Sequence, residues 1–317
     1  MMMPTPEDLK LLGSMAPLAF FDALAAAGLG APIVAVLCEI SSRTRKKVFL
    51  EKLAQQLSAM GLLLQLLTFV VGGVCTVLLA QKLPALSAWA LRAQSPIAPV
   101  AGAMFLALLA SAMYRLTWKS ARTARAAHVC IGLLAALAAI AATLGGVALL
   151  RSVAVNGMGE ASLGLPLLEH FRFPAGSLAW PLAAQSLALL AAYAGAFGLI
   201  HLILRRAKDD FGRDYYRYAP SVAAAWALAP MLAALALSGW LYAELPEITR
   251  FVVFHGVTAP LLAAAGTTAL LACLLWLILA RSQTPMRLKG LMVLAALLVW
   301  AVHTLAATAL FQLYMLR

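Results

Sequence analysis

The sequence predicts an all-α integral membrane protein of eight transmembrane helices, arranged as two tandem, parallel four-helix bundles. Three observations predict it. The first is composition: of 317 residues, 64% are apolar and 11% are charged. A soluble globular domain carries about 45–50% apolar and about 25% charged residues. The second is a series of apolar runs long enough to cross a bilayer. The third is a repeat of landmarks between the two halves of the chain.

Composition fixes the solvent. A soluble chain this apolar lacks the polar surface to cover itself, whereas side chains facing lipid must be apolar. The formal charge of +12 would suggest a nucleic-acid partner in a soluble protein. Here the basic residues sit in short connections between apolar runs, and no basic stripe with interleaved aromatics is present. The charge therefore reads as topology, with no nucleic acid implied. Cys38, Cys75, Cys130 and Cys273 all lie in or beside apolar runs and form no CxxC pair. They read as small hydrophobes. The absence of CxxCH excludes the usual covalent attachment of haem. Residues 1–13 carry Glu7, Asp8 and Lys10 but no basic cluster, so the first apolar run reads as a retained helix and not a signal peptide.

A spanning helix needs about 20 mostly apolar residues. Eight such runs fall at 14–38, 57–81, 95–117, 127–150, 180–204, 221–243, 251–280 and 290–315. The first connection holds Arg43, Arg45, Lys46, Lys47 and Lys52; the third holds Lys119, Arg122 and Arg125. The fifth holds Arg205, Arg206, Lys208, Arg213 and Arg217, and the seventh Arg281, Arg287 and Lys289. The alternate connections are poorer in cations: Lys82 and Arg92, then Arg151 and Arg172, then Arg250. The positive-inside rule makes the basic set cytoplasmic. Both termini then face the periplasm, in a multi-pass protein of the inner (cytoplasmic) membrane.

A shift of 162 residues aligns the halves without gaps. Leu83-Pro84 falls on Leu245-Pro246, Arg43 on Arg205, Lys46 on Lys208, Phe49 on Phe211 and Arg125 on Arg287. The expected organisation is an outward N-terminal segment (1–13), a first four-helix repeat (14–150), an outward loop (151–179) and a second repeat (180–317). The loop, with Gly157, Gly159, Gly164, Gly176, Pro166 and Pro174, is too rich in Gly and Pro to span. An even number of helices per repeat inserts both copies with the same orientation, which argues against inverted-repeat transporter folds. Runs such as Ala25-Ala26-Ala27-Gly28 supply the small residues that let membrane helices approach closely.

Polar groups inside the membrane are the functional candidates. Imidazoles hold haem b non-covalently when they meet at matching depth. His128 and His201 both lie about 14 Å inward of the midplane, so they form the one depth-matched pair. His303 sits near the middle of helix eight and needs a hydrogen-bond partner, an iron or a quinone oxygen. Asp22, in the outer third of helix one, is costly there unless paired or protonated, and suits a proton or ion path with Gln65. Gln185 lies near the equivalent place in the second repeat, and Glu39 is the counterpart of His201. In the outer loop Glu160, Glu169, His170 and Arg172 could meet a quinone head or a periplasmic partner. Phosphate-loop, zinc-protease and serine-hydrolase motifs are absent, so nothing points to ATP-driven work.

The stretch Phe49-Leu50-Glu51-Lys52-Leu53-Ala54-Gln55-Gln56, then Gly61 and Phe69-Val70-Val71-Gly72-Gly73-Val74, resembles the first and second helices of cytochrome bd-type quinol oxidase membrane subunits. The resemblance covers about 60 residues and implies four-helix bundles, an outward N-terminus and quinol chemistry. The family's haem-ligating histidine in helix one has no counterpart, Asp22 lying near its place, and the GRQPW-type motif is missing. Oxygen reduction is therefore not implied. The reading that follows is a membrane subunit of a respiratory electron-transfer complex, carrying haem b, menaquinone or ubiquinone, with redox or other membrane subunits as partners. A transporter with a pathway between the bundles and a non-catalytic anchor or scaffold are the alternatives.

Overall fold

The computed structural model describes residues 6–82, 95–156, 166–209, 211–256 and 258–315. The Leu83-Pro84 landmark, Arg92, Gly157, Gly159, Glu160 and Gly164 lie outside the described residues. Among the described residues, eight helices are long and apolar enough to cross a membrane. They are α1 (Pro6–Thr44), α2 (Val48–Lys82), α3 (Ile97–Leu116), α4 (Arg125–Asn156), α5 (Ala179–Arg205), α6 (Gly212–Ala243), α7 (Thr258–Arg281) and α8 (Lys289–Met315). The chain is thus an all-α, multi-pass membrane protein. One turn, Leu167–His170, lies in the central loop, and a nine-residue helix, Glu247–His255, joins α6 to α7.

Several helices outrun the apolar stretches that announce them. Helix α1 opens at Pro6, where a fixed φ suits the first helical position. At its other end Lys46 takes a left-handed φ of 53°. The Lys47 amide then donates to the Ser42 carbonyl at 3.0 Å, closing the last turn.

Two rings of neighbours build the molecule. In the first, α1 packs on α2, α2 on α3, α3 on α4 and α4 on α1; α5 to α8 repeat the same circuit. The rings meet chiefly through α1 against α5, with α1 also touching α8 and α4 touching α5. Helix α1 is the most enclosed span, and its sequence explains why. Ala19, Ala23, Ala27, Ala31 and Ala35, four residues apart, form one fully buried stripe of methyl groups. On α6, Ala219, Ala223 and Ala227 do the same.

At the α1–α5 crossing the backbones touch at Gly30. A β-carbon there would collide with the carbonyl oxygen of Leu190 and come within 3.2 Å of the Ala194 methyl. Under the repeat shift Gly30 corresponds to Ala192, which lies between those two contacts. In α5, Gly195 is equally constrained by the α6 backbone at Ala223 and Ala227.

Candidate functional site

Near the ends of α1 to α4 that bear the basic connections, three helices are tied by one buried carboxylate. Glu39 of α1 accepts from His128 Nδ1 of α4 (2.9 Å), from the Tyr114 hydroxyl of α3 (2.7 Å) and from Arg43 one turn on. His128 Nε2 faces the Tyr114 carbonyl at 3.2 Å. The Tyr114 carbonyl and the Glu39 carboxylate are both acceptors, so both ring nitrogens of His128 act as donors in this arrangement. The imidazole also packs against the rings of Tyr114 and Trp118, centroids 4.8 and 4.5 Å away. Trp118 in turn donates to Ser58 of α2 at 2.9 Å. Glu39 and His128 are both buried.

A second polar node joins the two rings at this end. The Gln56 amide of α2 donates to Asp209 at 2.6 Å and its oxygen accepts from the Tyr215 hydroxyl of α6 at 2.6 Å. Arg205 grips the same Asp209 with two nitrogens. Burial alone would raise the Asp209 carboxyl, but the bonds from Arg205 and Gln56 outweigh it and hold it below the ordinary carboxylate range.

The third group lies farther along α1, 17 residues or about 25 Å from Glu39. His303 Nε2 of α8 meets Asp22 Oδ2 at 2.6 Å, and His303 Nδ1 meets the Tyr193 hydroxyl of α5 at 3.0 Å. One neutral tautomer satisfies both contacts: Tyr193 donates to Nδ1 while Nε2–H donates to the carboxylate. Exposure grades along the chain. The Asp22 side chain is 69% exposed, that of His303 20%, and Tyr193 is buried. Trp300 donates to the Ala16 carbonyl at 2.7 Å and stacks edge-on with Phe20, which pins α8 to α1 beside this site.

The structure rearranges the residues singled out from sequence. Asp22 and His303 come together, with Tyr193 as the partner that sequence reasoning missed. His128 is bonded to Glu39 and Tyr114 instead of standing ready for a shared iron with His201. Both ring nitrogens of His128, and both of His303, are already bonded within the protein. Neither offers a lone pair to a metal. His201 Nε2 is buried without a hydrogen-bond partner among the described residues. A haem b held between His128 and His201 therefore does not fit this arrangement. No group of three or more His, Cys, Asp or Glu suited to a metal ion occurs among the described residues. Gln65 is a helix clamp: its amide donates to the Gly28 carbonyl of α1 at 2.9 Å.

The outer-loop residues serve to dock the loop. His170 is buried, its Nδ1 2.6 Å from the Ser152 hydroxyl of α4. Glu169 pairs with Arg172 at 3.5 Å on the surface, and Arg151 donates to the Arg172 carbonyl at 2.9 Å. Burial depresses the His170 imidazole below its ordinary value. A histidine whose folded value is depressed contributes fully above its unfolded value, about 6.5. As pH falls below that, the unfolded ring protonates first and the docking weakens. Amide hydrogen exchange in 166–178 is expected to accelerate between pH 7.5 and 5, relative to the intrinsic rate. A His170→Gln variant is expected to lose that pH dependence, and unchanged protection across the range would refute the assignment.

No protein-family model matches this chain, and no curated protein matches it in sequence. Among solved structures, a chain of the bd oxidase from Geobacillus thermodenitrificans has a similar fold. The TM-score is 0.70, over 97% of this chain and 86% of that one, at 13% sequence identity. The eight-helix membrane architecture derived above is therefore one that also occurs in a bd oxidase.

Proposed function

We propose that this protein is a membrane subunit of a respiratory electron-transfer complex, and that Asp22, His303 and Tyr193 form its quinol-facing site. The observation that carries the reading is the exposed Asp22 carboxylate bonded to an otherwise satisfied membrane imidazole. An exposed carboxylate at that depth is costly unless it serves a ligand or a proton. Oxidation of ubiquinol or menaquinol releases two protons and two electrons. Asp22 accepts the two protons in turn, passing the first to water before it takes the second, while His303 holds the carboxylate in position and Tyr193 fixes the tautomer of His303. The electrons pass to a redox-active partner subunit. Likeness of fold to the Geobacillus bd oxidase chain supports the respiratory setting.

In the same reading the basic connections lie in the cytoplasm, the membrane is the inner membrane, and the two rings descend from one duplicated four-helix unit. The matched circuits of neighbours and the Gly30–Ala192 crossing support the duplication. That crossing also disfavours transport between the bundles, since α1 lies directly on α5 there.

The test uses the tagged chain purified with its partners from its own membranes. Asp22→Asn keeps the shape and removes the proton acceptor. Loss of a positioned proton-transfer group costs about 100-fold or more in rate, so quinol-dependent turnover is expected to fall by that order while partners still co-purify. Undiminished turnover in Asp22→Asn overturns the proposal.

A further inference from the structure

The helix Glu247–His255 sits between α6 and α7, at the end of the molecule away from the basic connections, and none of its residues is buried. Its large apolar side chains point away from the protein: Ile248 is 78%, Phe251 62% and Phe254 61% exposed. They recur every third residue and form one stripe, while Val252 and Val253 are half-buried toward the bundle. The helix is too short to leave the membrane border, because it starts four residues beyond Ala243 and ends three before Thr258. Trp240 and Tyr242 lie at the same level, Tyr242 stacking edge-on with Phe254 at 4.9 Å. Trp and Tyr collect where hydrocarbon gives way to headgroups. An amphipathic helix at that depth buries its apolar face in the acyl boundary.

Beside the stripe is an open groove of about 270 Å³ lined by Tyr242, Glu247, Arg250, Phe251, Phe254 and His255. Within it Arg250 Nε is shielded from solvent and has no hydrogen-bond partner among the described residues. An unsatisfied guanidinium donor is expensive. His255 is stacked on Phe251, its Nδ1 facing the Phe251 carbonyl at 3.1 Å. Glu247 on the rim opposes an anion in the outer part of the groove. The ligand's charge must therefore be compact and held at Arg250, with apolar chains alongside the stripe.

We infer that this groove binds a membrane phospholipid through its headgroup phosphate, with Arg250 donating to the phosphate oxygens and Ile248, Phe251 and Phe254 seated among the acyl chains. Guanidinium groups match phosphate in planar, paired hydrogen bonds. A phospholipid is the one occupant that supplies both the phosphate and the apolar chains at this level.

The experiment uses the full chain in detergent, stripped of lipid. Its unfolding temperature is followed against dioctanoyl phosphatidylglycerol and, separately, against inorganic phosphate. The lipid is expected to raise the midpoint of the natural protein by several degrees, and phosphate to leave it unchanged. Arg250→Gln is expected to lose at least half of the lipid shift while unfolding near the natural temperature without lipid. Ile248→Ser with Phe254→Ser, two surface changes, is expected to lose part of the lipid shift and supplies a second variant should Arg250→Gln fail to fold. The inference falls if phosphate alone reproduces the shift, or if the folded variants keep it in full.

Discussion

Gly30→Ala is expected to destabilise the protein by about 3 kcal/mol, the upper range for overpacking a close-packed site. Any side chain at position 30 must displace the Leu190 carbonyl, which is backbone within α5 and cannot swing aside. Helices α1 and α5 would have to separate along the seam that joins the two rings, and the stripe of alanines on α1 would lose its fit. Thermal unfolding in detergent is expected to drop by about 6 °C or more, with broadening on size exclusion. Gly73→Ala is the matched control. It lies in α2 with nothing within 4 Å of the added carbon, so the change is expected to gain about 0.5–1 kcal/mol from helix propensity. A Gly30→Ala protein that unfolds at the natural temperature would show that the two helices do not pack as described.

Glu39→Ala is expected to cost about 3–5 kcal/mol, the range for breaking a buried pair by removing one partner. It leaves the Tyr114 hydroxyl and His128 Nδ1 without an acceptor in a buried site. Arg43, with a 31% exposed side chain, retains access to water and contributes less to the loss. A double-mutant cycle with His128→Ala separates the pair from its surroundings. The double variant is expected to lose less than the sum of the two single losses, because both delete the same interaction. Additive losses would mean that the carboxylate and the imidazole do not interact.

The two cases also show which information the sequence carries. Spans could be read because lipid imposes length and apolarity on each segment separately, and basic connections mark the membrane border one at a time. Asp22 and His303 could be flagged because a polar group in an apolar run stands out without reference to anything else. Their meeting could not be read, since it depends on α1 and α8 being neighbours across the seam. The repeat sets the composition of each bundle but not how the bundles face. Depth alone suggested His128 with His201, because rise along a helix fixes height and leaves azimuth open. The structure turns His128 inward onto Glu39 and Tyr114. Glu39 had a usable signal, being the repeat counterpart of His201, yet its partners lie on α3 and α4. Tyr193 and Gln56 gave none: a tyrosine or a glutamine in a membrane helix is compatible with many surroundings.

Helix α2 has 35 residues and so measures about 52 Å, whereas the hydrocarbon layer is about 30 Å thick. From Leu66 to Leu79 its side chains are largely open to the surroundings and are mostly apolar. Such a rod does not stand upright in a thin film with those residues in water: it leans, or the film stretches to meet it. Each ångström of misfit has an elastic cost, which sorts proteins among bilayers of different thickness. The apolar run of this one helix, residues 57–81 or about 37 Å, therefore outreaches a film of ordinary thickness by about 7 Å, a misfit met by tilt or by local thickening.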